Sequence, residues 1–150
     1  MWYLLMAFSA GAGMAMQAAI NSQLGKALYG QPIFAALWSF ASGTCVLIAL
    51  SIWFAKGNWL QTISAIPAQP WWLLIGGLLG SGLVFSSIFL APKLGVANML
   101  FFMIIGQMLF GLVIDQFGLF NMPIREITLN KVIGIVIMLT GLFVFFFAKK

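Results

Sequence analysis

Residues 96–114 read VANMLFFMIIGQMLFGLVI, an uninterrupted run without a charged side chain. An α-helix rises about 1.5 Å per residue, and the hydrocarbon core of a bilayer is about 30 Å thick. A run of about 20 mostly apolar residues is therefore long enough to cross a membrane. This stretch is typical of a transmembrane helix, and most of the chain is similarly apolar.

Four further segments have the same length and composition, and turn-forming residues separate them. Pro32 opens the second segment, and Pro92 with Lys93 is predicted to break the third from the fourth. A short interfacial helix is predicted over residues 58–66, and Lys149 with Lys150 is expected to anchor the last helix by snorkelling. The sequence predicts an all-α integral membrane protein, a single five-helix transmembrane domain over residues 1–150, with spans at about 3–24, 32–55, 71–91, 95–117 and 130–148.

The overall composition agrees with lipid as the solvent. Hydrophobic residues make up 63% of the chain and charged residues 6%, whereas soluble domains average about 45–50% and 25%. The seven Lys and Arg residues are scattered, so nucleic-acid binding is not indicated. The chain has no His and a single Cys, Cys45, so no zinc site is expected. Neither an enzyme nor a cofactor is predicted, because paired carboxylates, a phosphate loop and a dinucleotide fingerprint are all missing from the sequence.

The N-terminal segment is expected to remain as the first helix. No Lys or Arg precedes Lys26, and the apolar run exceeds the roughly 7–15 residues of a signal peptide.

The positive charges give almost no preference for one orientation in the membrane. With five spans, one side carries Lys56, Arg125 and Lys131, and the other carries Lys26, Lys93, Lys149 and Lys150. Orientation normally follows an excess of Lys and Arg in cytoplasmic loops, and here the count is three against four. One interpretation is a single orientation set by this small difference. The other is insertion in both orientations, with function as an inverted pair, which the odd number of helices favours.

Small residues at helical spacing predict close packing between helices. Gly76 and Gly80 form a GxxxG pair on the third span, and Gly134 and Gly141 lie on one face of the fifth. The fifth helix is otherwise almost wholly apolar, which is typical of a helix used for assembly. The same spacing recurs at Ser39 with Gly43 and at Gly82 with Ser86.

Polar side chains within the spans are the candidates for function. Gln17 and Asn21 lie one helical turn apart on the first span, on the stripe that also holds Ser9 and Gly13. Amides in lipid usually face a cavity or another helix. A second stripe, on the fourth span, holds Gln107, Gly111 and Asp115. The two stripes predict either a wet, substrate-lined interior or hydrogen bonds that hold helices together.

Other polar and aromatic residues carry less weight. Asp115 is the only acidic residue within a predicted span and lies near its end, which favours an interfacial position. Hydroxyl groups can bond their own helix backbone, as expected for Ser42, Thr44, Ser86 and Ser87. Trp38 could stack on a cation, although packing or contact with lipid is the more common role of such a residue.

An ordered set of short motifs resembles the bacterial five-helix branch of the drug/metabolite transporter superfamily. The motifs are GAGMAMQAAINSQLG at residues 11–25, APKLG at 91–95, the Gly106–Gln107 pair and DQFGLF at 115–120. The resemblance covers nearly the whole chain and implies a protein of the bacterial inner membrane. It also implies half of a ten-helix inverted-repeat transporter fold, with a cavity lined mainly by the first four helices and the fifth supporting assembly.

The resemblance marks Gln17, Asn21, Gln107 and Asp115 as positions that match the family pattern. The related four-helix multidrug transporters carry a glutamate within their first helix, and this chain has none there. Asp115 is then the one candidate in a span for coupling to an ion or proton.

Three functions are compatible with these features. The leading hypothesis is a secondary transporter of a small organic solute, working by alternating access as an antiparallel homodimer or with a homologous, oppositely oriented partner. Gln17, Asn21 and Gln107 would then bind the substrate. The alternatives are a dual-topology ion channel and an accessory membrane subunit without transport of its own.

Overall fold

The computed structural model describes residues 1–55 and 57–147, and these residues are almost wholly helical. Five helical segments in this part of the chain are long and apolar enough to cross a membrane, which confirms the predicted fold class. The helices are α1 (Trp2–Ala27), α2 (Pro32–Phe54), α3 (Trp59–Ser64), α4 (Trp71–Leu74), α5 (Gly76–Leu94), α6 (Val96–Phe117) and α7 (Leu129–Phe147). α4 and α5 follow one another as a single candidate span, Trp71–Leu94.

Proline and glycine set several of the helix ends. Pro32 is the first residue of α2 and Pro70 directly precedes α4, where a proline loses no hydrogen bond that the helix needs. After α6 the chain turns at Gly118, whose φ of 61° lies in the left-handed region. Side chains are disfavoured there, which explains a glycine at this position.

The break between the third and fourth spans lies at Gly95, and the prediction that Pro92 makes it was wrong. Pro92 lies inside the last turn of α5, which continues to Leu94. Gly95 then adopts φ 82° and ψ 147°, a conformation that only glycine reaches at low cost. The side-chain amide of Asn98 donates to the carbonyl of Leu94 at 2.8 Å. A proline in a last turn removes one backbone donor, whereas Gly95 redirects the chain.

The predicted short helix between the second and third spans is confirmed as α3, followed by one 3₁₀ turn over Ile66–Ala68. The indole Nε1 of Trp59 donates to Ser51 Oγ at 3.1 Å, which ties α3 to the last turns of α2. The predicted snorkelling of Lys149 and Lys150 lies outside the described residues.

Contacts between Cα atoms divide the chain into two compact units, Met1–Met99 and Leu100–Lys150. In the first unit, α1, α2 and α5 each contact the other two. Their shared core consists of Ala35, Ala36, Val84 and Ile88, all buried. A Cβ added to Gly25 would lie 3.4 Å from Ile88 Cγ2 and 3.5 Å from Pro32 Cα. The three helices therefore pack through small residues, as expected where lipid supplies no hydrophobic driving force.

The second unit is built around aromatic contacts between α6 and α7. The ring centroids of Phe101 and Phe145 are 4.8 Å apart, and those of Phe102 and Phe146 are 5.1 Å apart. In the connection between the helices, the backbone N–H of Arg125 donates to the carbonyl of Asp115 at 2.8 Å. A second hydrogen bond runs from the backbone N–H of Ile127 to Gln116 Oε1 at 2.7 Å. These two hydrogen bonds fix the connection to the end of α6.

Candidate functional site

Gln17 and Asn21 of α1 meet at one hydroxyl group of α2. Gln17 Nε2 donates to Ser39 Oγ at 3.2 Å, and Asn21 Nδ2 donates to the same oxygen at 3.0 Å. The two amides lie one turn apart, so both reach the same point on the facing helix. Because these contacts use the amide N–H groups, neither carbonyl oxygen, Oε1 or Oδ1, takes part in them.

Close packing of small residues brings the two helices near enough for this cluster to form. Ala18 on α1 and Ala35 and Ala36 on α2 are all buried. Asn21 is only 6% exposed, which makes it a buried amide that must be hydrogen-bonded to be tolerated. The contact is therefore partly structural. Of the two alternatives that the sequence left open, a hydrogen bond across helices is seen for Gln17.

A small groove opens beside the same cluster. Its volume is about 180 Å³, and Gln17, Ser39 and Thr44 contribute its polar lining. Phe40, Gly43 and Leu47 complete the wall. Gln17 lies about 15 Å along the axis from the end of α1 at Ala27. This is close to half of the roughly 30 Å hydrocarbon thickness, so the cluster is at membrane depth.

Gln107 and Asp115 belong to the second unit. Gln107 is exposed on α6, and Asp115 is half-buried in the last turns of the same helix. Asp115 contributes its backbone carbonyl to the hydrogen bond with Arg125 already described. Binding by Gln107 and ion coupling by Asp115 stay predictions.

The glycines that were predicted to pack helices differ in their surroundings. A Cβ added to Gly80 would meet the ring of Phe40 at 3.8 Å. At Gly76, an added Cβ would have no neighbour within 4 Å among the described residues of its unit, and the same holds for Gly134 and Gly141 in theirs. Close packing at these three glycines stays a prediction, and it would require a surface from elsewhere. Among the glycines within helices, Gly25 is the one at which an added Cβ would lie closest to another helix, and the sequence predicted no packing role for it.

Hydroxyl groups follow the expected local pattern in part. Ser42 Oγ donates to the carbonyl of Ser39 at 3.0 Å, and Ser87 Oγ donates to that of Val84 at 2.8 Å. Ser39 is different because its oxygen accepts from another helix, and sequence reasoning identified it only as a small packing residue. Its position on the face shared with Gly43 was the available signal.

Comparison with known proteins matches most of the chain to one family. Residues 2–144 match the family described as "Putative inner membrane exporter, YdcZ". Over 98 residues the chain is 31% identical to the inner membrane protein YdcZ of Escherichia coli strain K12. That match covers 64% of this chain and 63% of the relative, so the chain spans less than two thirds of the length of that protein. No solved structure matches.

Proposed function

Because this chain belongs to the YdcZ family of inner membrane proteins and is a multi-pass protein of the bacterial inner membrane, we propose that it is a secondary transporter of a small organic solute. The description of the family names an inner membrane exporter, which supports a transport role. The polar cluster of Gln17, Asn21 and Ser39 is proposed as the core of the substrate site.

One observation carries this proposal: three hydrogen-bonding side chains converge at membrane depth beside an open groove. Two amide donors share a single acceptor, Ser39 Oγ, so one of them can be released to a substrate while the other keeps the contact between helices. Both amide carbonyls also remain free of these two bonds. A solute with a donor and an acceptor group can therefore exchange with the internal hydrogen bonds at little net cost.

We further propose that the transporter works as an inverted pair by alternating access. The nearly equal Lys and Arg counts on the two sides support dual insertion. The exposure of Gln107 on α6 supports a partner, because an amide facing lipid lacks hydrogen bonds and costs free energy. A second copy, or a homologous partner of opposite orientation, would cover this amide. Asp115 is the proposed group for ion or proton coupling.

Transport measurements with amide variants test the substrate site. The purified protein is first screened by thermal shift against a panel of small organic solutes, since a ligand of the native state raises its apparent stability. The solute that stabilises the protein is then followed in proteoliposomes. Gln17→Ala and Asn21→Ala are expected to abolish its transport while leaving membrane insertion intact.

The matched control is Gln23→Ala, which removes an exposed amide from the same helix. This variant should transport normally. Unchanged transport in both Gln17→Ala and Asn21→Ala would overturn the assignment. Resolvable single-channel conductance in planar bilayers, without saturation of the flux, would favour the channel instead.

Cysteine labelling tests the inverted pair. In a Cys45→Ser background, single cysteines replace Gln31, between α1 and α2, or Gln69, between α3 and α4, both exposed. An odd number of spans separates these positions, so they lie on opposite sides in any one molecule. An impermeant maleimide added to intact spheroplasts should label a fraction of each variant. Complete labelling of one and none of the other would overturn dual insertion.

A further inference from the structure

A second groove lies at the end of the first unit where α1 and α5 finish and α2 begins. It has a volume of about 210 Å³ and includes Lys26, Lys93 and Ser22 in its lining. Backbone and apolar groups form the remaining walls, contributed by Gly25, Gly30, Pro32, Ile88, Phe89 and Pro92. This groove does not include Gln17 or Ser39 and so differs from the proposed substrate site.

The groove carries positive charge that its own unit does not balance. Residues 1–99 contain no Asp or Glu, because the two acidic residues of the chain are Asp115 and Glu126. Lys93 Nζ lies 3.6 Å from the centroid of the Phe89 ring. This cation–π contact holds the ammonium group at the wall of the groove without neutralising it.

The helix ends modify this charge but do not remove it. α2 begins at Pro32 in the lining, and the start of a helix carries about half a positive charge. α1 and α5 end beside the groove and contribute about half a negative charge each. Two full ammonium charges outweigh this difference, so the groove stays positive.

Ser22 adds an independent observation that indicates a ligand. Its side chain is 8% exposed and lies in the groove lining. Its hydroxyl has no hydrogen-bond partner among residues 1–55 and 57–147, and the oxygen keeps some accessible surface. A nearly buried hydroxyl without a partner is costly unless water or a ligand bonds to it.

We propose that this groove binds a phosphate group, with Lys26 and Lys93 as the charged contacts and Ser22 Oγ as a hydrogen-bond donor. Phosphate oxygens accept from ammonium and hydroxyl groups together. The phosphate could belong to an anionic lipid headgroup, since Lys93 and Lys26 lie at the ends of membrane spans, or to a free anion in solution. The proposal does not depend on the proposed transport activity.

Thermal unfolding of the full chain in detergent tests the proposal in two arms. In the first arm, sodium phosphate is titrated at constant ionic strength against chloride. In the second, phosphatidylglycerol is titrated into the micelles, with zwitterionic phosphatidylcholine as its match. A ligand that binds the native state raises the unfolding temperature as its concentration increases.

Wild-type protein is expected to be stabilised in at least one arm. Stabilisation by phosphatidylglycerol alone identifies a lipid headgroup, whereas stabilisation by phosphate alone identifies a free anion. An interfacial lysine is worth about fivefold in affinity for an anion, so Lys26→Gln with Lys93→Gln should weaken apparent binding roughly 25-fold. Ser22→Ala should weaken it by a smaller factor.

Two further variants keep the result interpretable. Lys26→Arg with Lys93→Arg preserves the charges and should retain binding, which separates loss of charge from loss of folding. Lys131→Gln makes the same change at a lysine whose Nζ donates to the carbonyl of Glu126 in the second unit, and it should behave as wild type. Absence of stabilisation in both arms, or equal stabilisation of the double Gln variant and wild type, would overturn the proposal.

Discussion

The two compact units of this protein use opposite kinds of residue to bring helices together. In Met1–Met99, α1, α2 and α5 approach through alanine and glycine, and Ala35 is completely buried. In Leu100–Lys150, α6 and α7 meet through phenylalanine rings 4.8 and 5.1 Å apart, and no described residue of α7 is buried. Small residues let backbones come close and place short polar side chains within reach of one another. Large rings keep backbones apart and leave no polar contact between the two helices within the described residues.

The largest expected effect comes from enlarging the residue at the tightest approach. Gly25→Leu would place side-chain atoms where a Cβ alone already lies 3.4 Å from Ile88 Cγ2. Overpacking of this kind costs about 1–3 kcal/mol, and we expect the upper end because Pro32 backbone also lies at 3.5 Å. Thermal unfolding in detergent measures the loss.

Gly134→Leu is the matched change in the second unit, where an added Cβ has no neighbour within 4 Å. It should shift the unfolding temperature less than Gly25→Leu does, because no described atom of its unit lies against this position. Adding Ile88→Ala to Gly25→Leu should restore part of the lost stability, because it removes the nearest obstructing atom. Equal losses at Gly25 and Gly134 would contradict the contrast between the units.

The next effect comes from creating a cavity in the first unit. Ile88 is 3% exposed and packs against Ala35, Ala36 and Val84. Ile88→Ala should cost about 2 kcal/mol, at the lower end for such truncations, because membrane helices lose less transfer free energy than soluble ones. Ile137→Ala on α7, where the side chain is 65% exposed, should cost less than about 0.5 kcal/mol. Chemical denaturation in mixed micelles compares the two.

A double-mutant cycle measures the aromatic contact in the second unit. Phe101→Ala and Phe145→Ala should show a coupling of about 1 kcal/mol, the usual value for an aromatic pair. The control pair is Phe101 with Phe117, which lie on one helix about 24 Å apart and should be additive. Additivity in the Phe101 and Phe145 cycle would mean that the rings contribute nothing to the stability of this unit.

The smallest expected effect on stability belongs to the polar cluster. Ser39→Ala removes the acceptor of both amide hydrogen bonds. Hydrogen bonds between membrane helices average about 0.6 kcal/mol, and Gln17 lies in the groove lining, so we expect a loss of about 0.5–1 kcal/mol. The same variant should reduce solute binding strongly. Ser42→Ala removes a hydroxyl that donates only within its own helix, and it should leave solute binding unchanged. Equal weakening of solute binding by Ser42→Ala and Ser39→Ala would contradict a role of the cluster in substrate recognition.

Much of the local structure could be predicted from the sequence. The helix that begins at Pro32 and the short helix after Lys56 follow from local composition and turn chemistry. The error at Pro92 has a physical reason, because a proline is tolerated in a last helical turn and the adjacent Gly95 supplied the conformation that ends the helix. The stripe of Gln17 and Asn21 was visible because one helical turn separates them.

The partner of that stripe could not be predicted in the same way. Which residue of α2 faces Gln17 depends on the rotation of each helix about its axis and on how closely the two axes approach. Both are set by Gly25, Ala35 and Ile88 together, residues that lie far apart in the chain. Local patterns identify a polar face without specifying the residue opposite.

The sequence by itself determined the membrane location, the helical class and the five spans, because hydropathy and helix length are properties of each segment alone. Only the tertiary structure decided that Ser39 Oγ accepts hydrogen bonds from two amides and that Lys26 and Lys93 line one groove. These contacts depend on the packing of three helices around small residues. Steric fit among distant segments, and not the composition of any one of them, selects that packing.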